Sequence, residues 1–182
     1  MSSTHAPGTP QQLTGLRGAI TRRAVKVLKG PMESTRSPRA AEVLTMPVQP
    51  DANFDALRGG AHALLVTYKR SGDGVPTPVW FALDDDGRRL YVWTELNAYK
   101  AKRLRRNPDA LLAPCDPRGA PLGPPIAATG RILETRGERA HAAAVIGSRW
   151  NAGQRLFERI ARPLMPTHYL EFVPAHPATP DA

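Results

Sequence analysis

Between about residues 54 and 174 the chain alternates short runs of aromatic and β-branched residues with clusters of Gly, Pro and Asp. His62 to Tyr68 (HALLVTY), Val75 to Leu83, Leu90 to Thr94 (LYVWT), Ala110 to Cys115 (ALLAPC), Ile126 to Glu134 (IAATGRILE) and Tyr169 to Val173 (YLEFV) each predict a strand. Lys69 to Gly74 (KRSGDG) predicts a hairpin loop. Asp84 to Gly87 predicts a tight turn, because Asp and Gly tolerate dihedrals that other residues resist. Pro76 and Pro78 lack N–H donors and predict an edge or bulged strand, and Pro114 predicts the same in its own run. Gly130 predicts a bulge or a close backbone approach. Helices are few. Phe54 to Arg58 predicts a short one ended by Gly59 and Gly60, and Glu138 to Ala161 a longer one broken near Asn151 to Gly153. A third runs from Ala98 to Arg106, capped by Asn97 and stopped by Pro108. Many hairpin-connected strands with peripheral helices predict a mainly β fold, a barrel with helical additions.

Upstream the pattern changes. Met1 to Gln12 is rich in Ser, Thr, Pro and Gly and predicts disorder. Leu13, Leu16, Ile20, Ala24 and Val27 recur at helical steps, with Arg17, Arg22, Arg23, Lys26 and Lys29 on the remaining faces. Such a basic amphipathic helix suits a weak contact with an anionic membrane surface through Leu13 to Lys29. Met32 to Asp51 carries Pro38, Pro47 and Pro50 and predicts a linker, with a short helix at Ala40 to Leu44. The expected organisation is a basic extension and linker (1–50), a barrel domain (51–176) and a disordered tail (177–182).

Charge sharpens this. The 182 residues carry a formal net charge of +9, which favours acidic partners or a multiply charged cofactor. The densest charge is on the helix after LYVWT: Lys100, Lys102, Arg103, Arg105 and Arg106. A strand, a turn, a strand and a basic helix make a unit suited to hold an anion beside a flat apolar sheet surface. Cys115 is the one cysteine, so no intrachain disulfide forms and a reducing compartment is expected. No run reaches the ~20 apolar residues of a membrane span, and the first twenty residues hold no signal-peptide core, so a cytoplasmic location is expected. His62, His141 and His168 show no metal-ligand spacing with one another or with Cys115, and no metal is expected. Aromatic strands beside Arg and Lys also suit single-stranded nucleic acid, but the tryptophans lie in strongly apolar runs, so no nucleic-acid partner is expected.

The order HALLVTY, VPTPVWF at 75–81, LYVWT at 90–94, K-x-K-R-L-R-R-N-P at 100–108, LLAPC at 111–115 and YLEFVP at 169–174 resembles the split-barrel flavin-binding superfamily that includes pyridoxamine 5′-phosphate oxidase. More narrowly it resembles the branch using the deazaflavin coenzyme F420. The resemblance spans about Phe54 to Pro174. It implies an FMN-binding-type split β-barrel, a homodimer, and a cofactor at the dimer interface. It implies that Thr77, Pro78, Val79 and Trp80 lie along the ring, that Trp93, Thr94 and Lys100 hold the phosphate, and that Lys102, Arg103 and Arg106 meet the longer anionic tail. Flavin-binding oxidases of this kind commonly carry Arg where this chain has Tyr99, which favours F420 over flavin mononucleotide (FMN) and counts against pyridoxamine-phosphate oxidase activity. The activity implied is hydride transfer between reduced cofactor and an electron-poor small molecule, with no catalytic side chain assigned. The alternatives are an FMN-dependent oxidoreductase of the same fold and a non-catalytic deazaflavin carrier.

Overall fold

A computed structural model of the chain describes residues 36–50, 53–149 and 167–175. Seven strands fall close to the expected runs: β1 (His62–Tyr68), β2 (Gly74–Trp80), β3 (Ala82–Leu83), β4 (Leu90–Glu95), β5 (Asp109–Pro114), β6 (Ile126–Ile132) and β7 (Thr167–Pro174). They form one sheet in the order β2-β1-β5-β6-β7-β4-β3, with every neighbouring pair antiparallel. The run expected as a single strand from Val75 to Leu83 is broken at Phe81, and its halves lie at opposite edges of the sheet. Since Phe81 alone separates β2 from β3, the sheet has to curl until its edges meet. One core cluster accordingly draws on every strand, through Leu65, Val79, Leu83, Val92, Leu112, Ala128 and Phe172 among others. Full burial of a large apolar side chain contributes roughly 1.5–3 kcal/mol, so this concave face is the main source of stability.

Strand alternation accounts for three prolines at once. At the β1–β2 hairpin the Lys69 N–H donates to the Asp73 carbonyl at 2.9 Å. Continuing that register, Thr67↔Val75, Leu65↔Thr77 and Ala63↔Val79 are the pairs that exchange hydrogen bonds. Pro76 and Pro78 stand opposite Val66 and Leu64, in pairs that exchange none. On the other side of β1, the Cys115 N–H donates to the His62 carbonyl. That places Pro114, opposite Ala63, in a non-bonded pair as well. β2 is an edge strand, as Pro76 and Pro78 predicted. β5 is not: it lies between β1 and β6, and Pro114 is tolerated because it ends the strand where the ladder needs no donor.

Helix α1 (Tyr99–Leu104) is shorter than expected, and its N-cap is Ala98 rather than Asn97. Ala98 takes the extended conformation and offers no side-chain cap, while its N–H donates to the Glu95 carbonyl. α1 is held by burial instead: Ala101 and Leu104 enter the barrel core. Gly130 makes this possible. A Cβ there would lie 2.4 Å from the Phe172 ring and 3.0 Å from Leu104, which is the close approach expected of it. Helix α2 (Arg136–Arg149) opens on a capping box in which Thr135 and Glu138 bond each other's backbone N–H. Its Ala142 and Ile146 pack on the outer sheet face against Tyr91, Leu133 and Tyr169. Within the stretch read as a linker, a 3-10 helix (Pro38–Leu44) buries Ala40 and Val43 against Leu64, Val66, Ala113 and Cys115. The compact unit holding the barrel includes this 3-10 helix and begins at Arg36. The helix expected at Leu13 to Leu28, the continuation of α2 to Ala161 and the 177–182 tail lie outside the described residues. Among the described residues no helix is long and apolar enough to cross a membrane.

Candidate functional site

The strand directions set the C-terminal ends of β1 and β4 and the first residues of β2 and β7 at one end of the barrel, where α1 lies across the core. The inward positions turn polar there. Thr67 and Thr94 are buried, and His168 continues the face of Leu170 and Phe172 directly across from Thr94. Lys100, Arg103 and Arg106 recur every three residues and make one stripe on the side of α1 nearest β1. The Arg103 Nη1 donates to Thr67 Oγ1 at 3.1 Å, and the Arg106 Nη2 donates to the Tyr68 carbonyl at 2.9 Å. Burial, then repulsion from Arg106 and Arg36, lowers the Arg103 pKa from its ordinary value. Among the described residues none of Arg36, Arg103 and Arg106 has a carboxylate within ion-pair distance. Lys100 is half-buried in the first turn of α1, and the Lys102 ammonium lies 5.4 Å from the centroid of the exposed Tyr99 ring. Guanidinium groups with no carboxylate partner among the described residues are chemically suited to an anion bearing more than one negative oxygen.

On the other side of α1, Arg105 Nη2 lies 3.0 Å from His168 Nε2. Burial is the first reason, and Arg105 and Arg139 the next, that His168 titrates below the ordinary histidine range. Sequence reasoning passed over Arg36, Thr67 and His168. For His168 a signal existed: it sits two and four residues before Leu170 and Phe172, on the same face of a strand.

The barrel seam joins this end. β3 pairs only with Leu90 and Tyr91, yet β2 approaches β4 across the gap. Alternation turns the Pro76 and Pro78 carbonyls toward the free edge of β2, with no N–H beside them. Thr77 and Pro78 are half-buried along this edge strand. The other residues singled out in the sequence lie elsewhere. Val79 is inside the barrel core. Trp93 packs on the outer face with the α2 cluster. Trp80 is at the far end of β2, roughly 16 Å along the strand from Val75, where its indole N–H donates to His62 Nε2. The structure thus gathers Thr94, Lys100, Arg103 and Arg106 at one end, with Lys102 on the outer surface of α1. Cys115 is buried beneath the 3-10 helix, and burial pushes its thiol up to about 12, which keeps it protonated.

The α2 side is charged too, but there the charges are matched. A cavity of about 350 Å³ is lined by Arg89, Tyr91, Arg131, Glu138, His141 and Glu171, among others. Arg131 donates to Glu171 at 2.8 Å and to Glu138 at 2.6 Å. The Arg131 and Thr135 contacts push the Glu138 carboxyl down to about 2.

No family model matches the chain, and no curated protein matches it. Solved structures do. A Clostridium acetobutylicum protein related to general stress protein 26, of the pyridoxinephosphate oxidase family, aligns at 16% identity and TM-score 0.49, over 66% of this chain and 80% of its own. The heme storage protein of Vibrio cholerae aligns at 16% identity and TM-score 0.49, over 68% and 88%. An FAD-binding protein of Mesorhizobium loti aligns at 14% identity and TM-score 0.45, over 68% and 85%.

Proposed function

We propose that the chain is an oxidoreductase that binds a phosphate-bearing flavin-type cofactor across the seam and the α1 end of the barrel, and that this cofactor is coenzyme F420 rather than FMN. The observation that carries the reading is the pair Arg103 and Arg106 at α1, which has no carboxylate partner among the described residues. Arg103 and Arg106 are anchored on Thr67 and Tyr68, and Arg36 adds to their field. Lys100 would hold the phosphate, and Arg103 and Arg106, with Lys102 beside them, the carboxylates beyond it. Thr94, buried at the same end of the barrel, would stand behind them.

The edge of β2 supports the choice of ring. FMN carries a nitrogen acceptor at the ring position where the deazaflavin carries a C–H, and Pro76 and Pro78 have no N–H to give it. Tyr99, mostly exposed at the start of α1, adds no charge where a second cation would assist a short phosphate tail. When bound, the cofactor supplies hydride chemistry; the chain supplies position, a mostly apolar wall and anion clamps. In this reading two copies pack as a dimer around the cofactor, with exposed Trp80 and Leu122 contributing apolar surface. The test is a calorimetric titration of the full-length chain with F420 and with FMN, at two salt concentrations. Tighter binding of F420, weakening as salt rises, supports the reading. Equal or reversed affinities remove F420, and no binding of either removes the cofactor.

A further inference from the structure

The side of α1 away from the Lys100–Arg103–Arg106 stripe has a chemistry of its own. His168 faces the barrel mouth from β7, and its direct cross-strand neighbour is Thr94. Arg105, from the end of α1, reaches over to His168 Nε2 at 3.0 Å. A guanidinium only donates, so Nε2 must be the accepting lone pair and the ring proton sits on Nδ1. This contact exists only while the ring is neutral. Once Nε2 takes a proton, both partners are cations and both are donors, and the hydrogen bond between them is lost. The charges acting on the ring are Arg105 from α1 and Arg139 from α2, both positive. β4 presents the uncharged Thr94 and β7 the apolar Leu170. These two positive charges on the ring contrast with those on Arg131, which is paired with Glu138 and Glu171.

We propose that Arg105 and His168 form a second anion subsite, for an oxyanion of the phosphate or carboxylate class, and that filling it takes up one proton at His168. The neutral ring holds Arg105 in place when the subsite is empty. An arriving oxyanion draws Arg105 off the ring and accepts from the newly protonated Nε2. Anion affinity at this subsite therefore rises as pH falls through the His168 titration. The oxyanion comes either from the cofactor or from the substrate. The subsite goes beyond the cofactor reading and stands without it.

Sulfate is the suitable probe, since its charge is constant between pH 5 and 8. Side-chain NMR of the full-length chain, with labelled histidine and ionic strength held by chloride, follows the His168 midpoint with and without sulfate; His168→Gln assigns the signal. The expected result is a saturable upward shift of about one unit on adding sulfate, reduced at least severalfold in Arg105→Gln. An unmoved midpoint overturns the proposal, as does a shift that fails to saturate or persists fully in Arg105→Gln. Repeating the titration with F420 and with FMN tells the sources apart. A shift with either assigns the oxyanion to the cofactor, and a shift with sulfate alone leaves it to the substrate. If neither cofactor binds while sulfate still shifts His168, the cofactor reading fails and the subsite survives.

Discussion

Two arginine-rich regions flank the same sheet and are built differently. Beside α2, Arg131 is matched to Glu171 on the neighbouring strand and to Glu138 in the first turn of the helix. Beside α1, Arg103 and Arg106 receive a hydroxyl and a carbonyl oxygen, both neutral, and repel each other and Arg36. Matched charges fasten a helix to a sheet. Unmatched ones lower stability through self-repulsion and repay it when an anion arrives. On the proposed reading, the first kind of arginine holds the fold and the second serves a ligand.

Packing gives the largest test. Gly130→Ala drives a methyl into Phe172 and Leu104 beneath α1, and a stability loss of about 1–3 kcal/mol is expected in urea unfolding. An unchanged midpoint would mean that α1 is not seated on the core. Next come the arginines. Arg131→Met leaves the largely buried Glu171 carboxylate without its cation, and about 1–3 kcal/mol should be lost. Arg103→Met in the same assay should cost less, because relief of repulsion offsets loss of the Thr67 hydrogen bond. Equal losses from the two would erase the contrast.

Acid should act on the α2 side. The Glu138 carboxyl is depressed to about 2 by Arg131 and Thr135, so its contribution is present above the ordinary carboxylate range and is lost as pH falls through about 2. Thermal melts between pH 5 and 2 should fall more steeply for the native chain than for Glu138→Gln; parallel curves would deny Glu138 that role. The smallest effect is expected at Gly137, where a Cβ meets nothing within 4 Å. Gly137→Ala should stabilise α2 by at most ~0.5–1 kcal/mol, and a loss would show that the cavity beside it needs the space.

The strands were legible because each run carries its own β-branched and aromatic residues between turn-forming ones: HALLVTY became β1 without a residue's error. The break at Phe81 was not, since VPTPVWFAL reads as one strand and only closure of the sheet assigns its halves to opposite edges. Pro114 was misread as an edge signal because a proline marks a missing donor, and an inner strand can spare one at its end. The cap at Ala98 escaped because burial of Ala101 and Leu104, rather than a side-chain cap, fixes where α1 starts. Of the site, Lys100, Arg103 and Arg106 were legible as a basic helix. Their neighbours Thr67 and Arg36 were not, since 36 or more residues separate each from Arg103: β1 brings in Thr67, and the segment before the 3-10 helix brings in Arg36.

The central claim is that the unmatched arginines on α1 exist to bind an anionic cofactor. Its most direct test is calorimetric titration of F420 into the native chain, Arg103→Met and Arg131→Met, well below their melting temperatures. Loss of a hydrogen bond between charged partners costs about 1.5–3 kcal/mol, so Arg103→Met should weaken binding roughly 10- to 150-fold. Arg131→Met should bind as the native chain does. Equal dissociation constants for the native chain and Arg103→Met, or a loss confined to Arg131→Met, would contradict the account.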